Sequence, residues 1–548
     1  MRFIKIKNAL LFTSLAAVVA MGCKKEDFAV NTNPDDVTAS TVDFKAVLPA
    51  SISATATIQA NQWAFLQRWL GYWARSGSYQ DATDEESYDF TNDFGSGLWN
   101  NLFANANNYN FVQSVSHERE AGFYEAIARI MKAQDFQMLV DIYGNIPYSE
   151  AFKGGSIRTP KYDEDLDIYK DLFRQLDTAI TLLKGPSASV DNNPGIAIND
   201  LVFQGNATNW IKYANTLKLR LIIHTCNTTF TGSTEVNTFV AGIDQAAEMA
   251  KITAEGSGFL GAGLNAQINP GYNDTKPNPF YRAYQKTETG AVAGAGDYTK
   301  ANAYAVGPTS LGNFGYYGWN GDPRVDKFYV KPGTATTHRG ITYGELASVN
   351  AANTGSALSN IYGTGLLPNG AASRAWIFTG FESLFLQAEA AKRGLLPVGN
   401  TKALYTAAVR ESFVWLGLTT AQADAYLANN AGYVDVDIDA PPLGPGLPPG
   451  GIYTIMSQKW FALNAVATLE IWTDHRRTNM AYGVGSGFIK GPPISINPAN
   501  TKTALPIRLF YPQAEYSLNA ANAGAQGTIN VFTGGGISGK NRIFWDQN

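Results

Sequence analysis

Apolar residues recur at spacings of three and four along much of this chain, which predicts helices. In ATNWIKYANTLKLRLIIH, Trp210, Tyr213, Ala214, Leu217, Leu221 and His224 fall on one face, with Lys212, Lys218 and Arg220 largely on others. Thr208 is the expected N-cap. DLDIYKDLFRQLDTAITLL repeats the pattern through Leu166, Tyr169, Phe173, Leu176, Ile180 and Leu183. Residues 119–143 and 452–478 predict two more long helices. FTGFESLFLQAEAAKRGLL (378–396) predicts another, stopped at Gly394, and NTKALYTAAVRESFVWLGL (400–418) predicts its partner. Two helices joined by a short turn, with small residues where they cross, suggest a tetratricopeptide-like unit, although no clean 34-residue period runs through the chain.

Between these helices the pattern fades. Residues 254–375, 430–451 and 481–535 are rich in Gly, Asn, Pro, Tyr and Thr, and read as long loops on a helical scaffold. Loops of this length usually carry function, and binding residues concentrate in them.

The first residues follow a different pattern. Arg2, Lys5 and Lys7 precede an apolar run from Ala9 to Met21, with small residues before Cys23. This is the layout of an export signal, and the run falls short of the ~20 residues that span a bilayer. Processing before Cys23 would remove 1–22 and leave an acylated cysteine as the membrane anchor, since several acyl chains hold a protein stably where one does not. Ala20 stands where a lipobox usually has Leu. Residues 23–45 read as the lipidated tether, and 46–548 as a single helical domain. Lys24-Lys25-Glu26-Asp27 fits either a surface-export signal or a solvated tether.

Composition narrows the chemistry. Charged residues make up 16% of the 548, and losing the three basic residues of the leader takes the formal charge from −4 to about −7. No basic run follows, which argues against nucleic acid as a partner. Cys226 is the only other cysteine and falls in an apolar helical pattern, so it reads as a small buried filler. Four widely spaced histidines and no His-x-x-x-His or Cys-x-x-Cys give a metal site little to work with, and no cofactor is expected.

Catalytic motifs mostly fail on their context. GGGISGK (534–540) has the spacing of a phosphate loop, but Asn541 replaces the hydroxyl residue and no helix can follow. GSGFLG (256–261) has no strand before it. DVDID (435–439) starts like a calcium loop, but Ala440 stands where the turn needs glycine. The acidic pairs Glu85-Glu86 and Asp163 to Asp167 do not establish the facing carboxylates that a glycosidase needs.

An ordered set of segments carries a family resemblance: YGNIPYSEAF (143–152), YDEDLDIYKDLFRQLDTAITLL (162–183), YANTLKLRL (213–221), GDPRVDKFYVKP (321–332), ESLFLQAEAAKRG (382–394), EIWTDHRRT (470–478), RLFYPQAEYSLNAANA (508–523) and RIFWD (542–546). In this order, over nearly the whole mature length, they resemble the SusD/RagB family of outer-membrane nutrient-binding lipoproteins. The resemblance implies a mainly α fold with tetratricopeptide-like helix pairs and irregular loops on one face. It implies a non-catalytic protein at the outer membrane, facing the exterior. Such a protein captures an oligosaccharide or peptide and acts as the lid of a SusC-type TonB-dependent barrel. A surface glycoside hydrolase and a helical adaptor without a small ligand are the competing readings.

Aromatics make up 12% of the chain, and ligand contact is expected from those that are exposed. Trp63, Trp69 and Trp73 lie at helical spacing, where core and binding roles fit equally well, and Tyr79 follows just beyond Gly77. Trp99 heads a helix. Tyr281, Tyr284, Tyr316, Tyr317 and Trp319 fall in the Gly-rich stretch. Arg476 and Arg477 could touch ligand, but pairing with Asp474 or with helix-end carbonyls fits them better.

Overall fold

The computed structural model describes residues 42–547 apart from 77–82, 232, 270, 308–314, 347–354, 397–400, 443, 445–446, 481–490 and 534–540. Cys23, Tyr79, the leader and GGGISGK lie outside the described residues. Phe44–Asn548 forms one compact unit. Its first helix starts at Phe44, inside the stretch read as tether.

Among the described residues, helices of ten residues or more are α1 (Phe44–Asn61), α2 (Ser96–Glu118), α3 (Gly122–Tyr143), α4 (Asp165–Lys184), α5 (Ala207–His224), α6 (Gln245–Glu255), α7 (Gly380–Lys392), α8 (Thr401–Trp415), α9 (Thr420–Asn429), α10 (Ile452–Leu463) and α11 (Thr468–Thr478). They pack as neighbours in sequence, α2 on α3, α3 on α4, α4 on α5 and α7 on α8, which gives the stacked helix pairs of a mainly α fold. Among the described residues, four two-stranded antiparallel pairs decorate this scaffold. No described helix is long and apolar enough to cross a membrane.

The helical periodicity holds for physical reasons visible at each helix. α4 buries Ile168, Tyr169, Leu172, Phe173, Leu176 and Ile180 along one face, with Asp165 and Asp167 at its positive end and Lys184 at its negative end. Gly394 ends the α7 segment at φ +73°, as expected. Other details differ. The cap of α5 is Asn206, whose side chain accepts from the Asn209 amide at 3.0 Å, not Thr208. The 452–478 stretch is two helices, because Ala465 takes φ +60° and turns the chain between them. The tryptophan-rich segment is helical only over Ala64–Trp69, and Trp73 lies in a short strand paired with Ala301. Cys226 opens a strand rather than continuing α5. It is buried, and burial pushes its thiol up to about 12.

The largest departure is residues 254–375. Its aromatic and aliphatic residues, among them Phe280, Tyr304, Phe328, Tyr343 and Ile361, are buried in the common core. The stretch is irregular in backbone but not peripheral.

Charged residues also sit at the centre. Arg220 of α5 pairs with Glu382 of α7 and, at 3.3 Å, with Glu470 of α11. His224, one turn on, lies 2.8 Å from Glu470 and 3.2 Å from Asp141 of α3. Asp141 also accepts from the Tyr169 hydroxyl, and from the Trp545 indole at 2.9 Å. Deeper along α11, Arg477 grips Glu389 through two bonds of 2.6 and 2.7 Å and Asp474 through two of 2.7 and 3.0 Å. Lys459 of α10 completes the group on Asp474. Burial alone would disfavour a charged His224, but the Glu470 and Asp141 carboxylates outweigh it and hold the imidazole up to about 9. Burial likewise opposes ionisation of Glu389, but Arg477 and Arg393 hold it down to about 2.

Removing one member leaves its partners charged and buried, which costs about 3–5 kcal/mol. Arg477→Met is therefore expected to lose that much stability in urea unfolding, and a loss under ~1 kcal/mol would contradict the pairing. His224 gives a pH signature. Its raised value means that its contribution is whole below about 6.5 and is lost as pH rises through about 9. His224→Gln is expected to melt lower at pH 6 and to show a shallower decline between pH 7 and 9 than the parent. Parallel melting curves across that range would refute it.

Candidate aromatic cleft

YYGWNGDPR (316–324) forms one wall of a surface cleft, and its neighbours explain why. Tyr316 and Tyr317 point inward. The Tyr316 hydroxyl donates to Asp435 at 2.7 Å, and that of Tyr317 to the Phe461 carbonyl at 2.8 Å. Their rings pack on Trp460 and Phe461, and burial holds both hydroxyls well above the ordinary tyrosine value. Just beyond, Arg324 is locked to Asp322 at 2.6 Å, to Ser412 at 2.9 Å and to Gln458 at 2.8 Å. The segment is thus fixed before and after Trp319. One helical turn, Tyr316–Trp319, cannot bury all its side chains, and Trp319 emerges 49% exposed.

The opposite wall follows α9. Thr419 and Gln422 form a capping box that starts this helix, and Tyr426 turns inward, where its hydroxyl accepts from Gln458 at 3.0 Å. After Asn429 the chain makes a tight turn, with the Tyr433 amide donating to the Asn430 carbonyl at 3.1 Å. Gly432 sits at φ +84°, a backbone conformation that favours glycine, and its amide donates to Asp437 at 2.8 Å. Tyr433 is left 46% exposed. Between the walls lies an open cleft of about 520 Å³ lined by Trp319, Asn320, Tyr426, Asn429, Asn430 and Tyr433 together with Gly318 and Gly321.

Two exposed rings above a floor of amides suit a ligand with flat apolar faces and hydroxyl or amide edges. Ring stacking adds about 0.5–1.5 kcal/mol beyond the area buried, and amides supply donors and acceptors without charge. No carboxylate or histidine is among the described residues that line it. The two facing acids of glycoside hydrolysis are therefore not part of this cleft.

The structure distributes the expected site residues unevenly. Trp319 is in the cleft. Tyr281 is half-buried on a short helix, Pro279–Tyr284, against Gly370. Trp73 and Tyr284 are buried against each other with ring centres 5.1 Å apart. Trp99 is buried edge-on to Tyr143 at 4.9 Å. Tyr316 and Tyr317 are wholly buried. These five rings are taken up by the core, and Tyr284, Tyr316 and Tyr317 are there because their irregular stretch packs inward instead of standing off the scaffold. Trp63 and Trp69 are core as well.

Tyr433 and Asn430 also line the cleft. Their one sequence signal is a tyrosine placed after a glycine, outside the apolar period of α9 and next to the DVDID acids. Asp435 of that motif is buried and accepts from the Tyr316 and Tyr453 hydroxyls. No group of three or more His, Cys, Asp or Glu among the described residues is placed to hold a metal.

A second cleft, of about 410 Å³, is lined by His475, Arg476, Thr503, Phe532, Arg542 and Asp546 among others. Arg476 is committed to the Asp141 and Ile507 carbonyls, at 2.7 and 2.9 Å, with its guanidinium over the Trp472 ring. Arg476 and Arg477 therefore bind carbonyls and acids of the scaffold, as their sequence context suggests.

Trp319→Ala is expected to leave thermal stability within about 0.5 kcal/mol, as surface changes do, while Tyr316→Ala loses several kcal/mol. Equal losses in the two variants would mean that Trp319 is a core residue after all.

Comparison with known proteins adds the following. A sequence model of the SusD-like family, described as "Starch-binding associating with outer membrane", matches residues 36–287 and 316–512. A chitin-binding SusD homologue from Flavobacterium johnsoniae superposes with a TM-score of 0.68 at 19% identity, covering 92% of this chain and 99% of that one. A SusD homologue from Bacteroides fragilis superposes with a TM-score of 0.67 at 18% identity, with coverage of 92% and 99%. A SusD-like protein from Bacteroides thetaiotaomicron gives 0.65 at 20% identity, again covering 92% and 99%. None of the curated proteins compared matches the chain in sequence.

Proposed function

We propose, from the premise that this chain belongs to the SusD-like family, that it is an outer-membrane nutrient-binding protein that holds an oligosaccharide between Trp319 and Tyr433 without cleaving it. The observation that carries this reading is the pairing of two exposed rings over an uncharged amide floor. The family description speaks of starch and of the outer membrane, and a structural relative binds chitin, which favours a glycan over a peptide. The absence of acids from the lining favours capture over turnover.

The wider reading extends to partners. An acylated Cys23 would hold the protein on the outer membrane, facing the exterior. A SusC-type TonB-dependent barrel would receive the ligand, with this chain as its lid. The helix pairs suit that role, because a rigid stacked scaffold offers a broad face to dock while irregular segments vary independently. A hydrolase or a ligand-free adaptor has no comparable support in the cleft.

Calorimetric titration of the protein lacking residues 1–23 with maltohexaose, chitohexaose and a hexapeptide tests the reading. Binding of a saccharide without release of shorter sugars is expected. Trp319→Ala and Tyr433→Ala should each weaken it about tenfold. Saccharide binding that survives both changes would reject the cleft as the site, and turnover would reject the capture role.

A further inference from the structure

The two walls of the cleft belong to segments about a hundred residues apart in sequence, and one residue touches both. Asn430 is buried, 8% exposed, at the floor. Its side-chain Nδ2 donates to the Asn320 carbonyl at 3.0 Å, next to Trp319, and to the Tyr426 carbonyl at 2.9 Å, in the last turn of α9. Its own carbonyl accepts from the Tyr433 amide. One amide group therefore binds the Trp319 wall to α9, while the same residue's backbone fixes the turn that presents Tyr433. Deeper ties, Tyr316 to Asp435 and Gln458 between Arg324 and Tyr426, join the same segments beneath the cleft but reach neither exposed ring directly.

We infer that Asn430 is the positioning residue of the cleft: it sets the separation of the Trp319 and Tyr433 rings, and with it the discrimination between ligands of different width. This rests on the glycan reading above for its ligand, but not for its geometry. Both Nδ2 hydrogens of Asn430 are used, so the amide has no freedom to rotate without losing a bond. A saccharide held by two rings must match their gap. Loosening the gap lowers affinity for the fitting ligand more than for a poorly fitting one, so the preference between ligands shrinks. The amide is the chemistry this needs. A carboxylate of the same shape would face two carbonyl oxygens with no hydrogen to offer them.

The test uses Asn430→Asp, which keeps the shape and removes both donors, and Asn430→Ser, a milder change in case the first folds poorly. Asp424→Ala, on the exposed face of α9, is the control. The first readout needs no ligand. Acrylamide quenching assigned to Trp319, by difference from each chain's Trp319→Phe counterpart, is expected to rise in both Asn430 variants and not in the control. The second is the ratio of affinities for maltohexaose and chitohexaose, expected to move at least threefold toward unity with melting temperature held within a few degrees. A folded Asn430 variant with parental quenching and a parental ratio overturns the inference. If the parent binds neither sugar the glycan reading fails, and the quenching comparison alone still decides the role of Asn430.

Discussion

The fold depends on a set of charges buried from solvent. Arg220, His224, Glu382 and Glu470 meet at the centre, with Arg477, Glu389, Asp474 and Lys459 alongside. Together with Asp141 they come from α3, α5, α7, α10 and α11, so each helix is oriented by partners on others. Hydrophobic packing alone tolerates sliding of one helix past another. A buried bidentate Arg–carboxylate pair does not, because a shift of an ångström leaves a charge unpaired in a medium that penalises it heavily. The network thus converts a stack of helices into a scaffold with one register. That is what a cleft built from distant segments requires.

The cleft is an outgrowth of this rigidity. Trp319 lies outside because Tyr316, Tyr317 and Arg324 are committed inside. Tyr433 lies outside because Tyr426, Val434 and Asp435 are. Each exposed ring is flanked by buried anchors within a few residues. The rings are therefore held in place before a ligand arrives, which limits the ordering cost of binding.

The sequence made the scaffold legible and the site mostly illegible, for one physical reason. Helical periodicity and the short motifs report residues that must face the core. Arg220 of YANTLKLRL, Glu382 and Glu389 of ESLFLQAEAAKRG and Glu470, Asp474 and Arg477 of EIWTDHRRT are members of the charged network itself. Arg508 and Tyr511 of the RLFYPQAEY segment bond the Tyr143 and Asn145 carbonyls of YGNIPYSEAF. The motifs that carry the family resemblance are thus the parts that lock together. Exposed aromatics have no such signature. Tyr316, Tyr317 and Trp319 are nearly adjacent and chemically alike, yet two are core and one is surface. What separates them is a hydroxyl's reach to Asp435 or to the Phe461 carbonyl, and those partners lie over a hundred residues away. Glycine-rich composition suggested a free-standing loop face, whereas the small residues instead let irregular backbone pack closely into the core.

The most direct measurement is a crystal structure of the protein grown with chitohexaose or maltohexaose. The account predicts an intact saccharide lying between Trp319 and Tyr433, with its hydroxyls within hydrogen-bond distance of the Asn320, Asn429 or Asn430 amides. A sugar bound elsewhere with that cleft empty, or a cleaved fragment in its place, would contradict it.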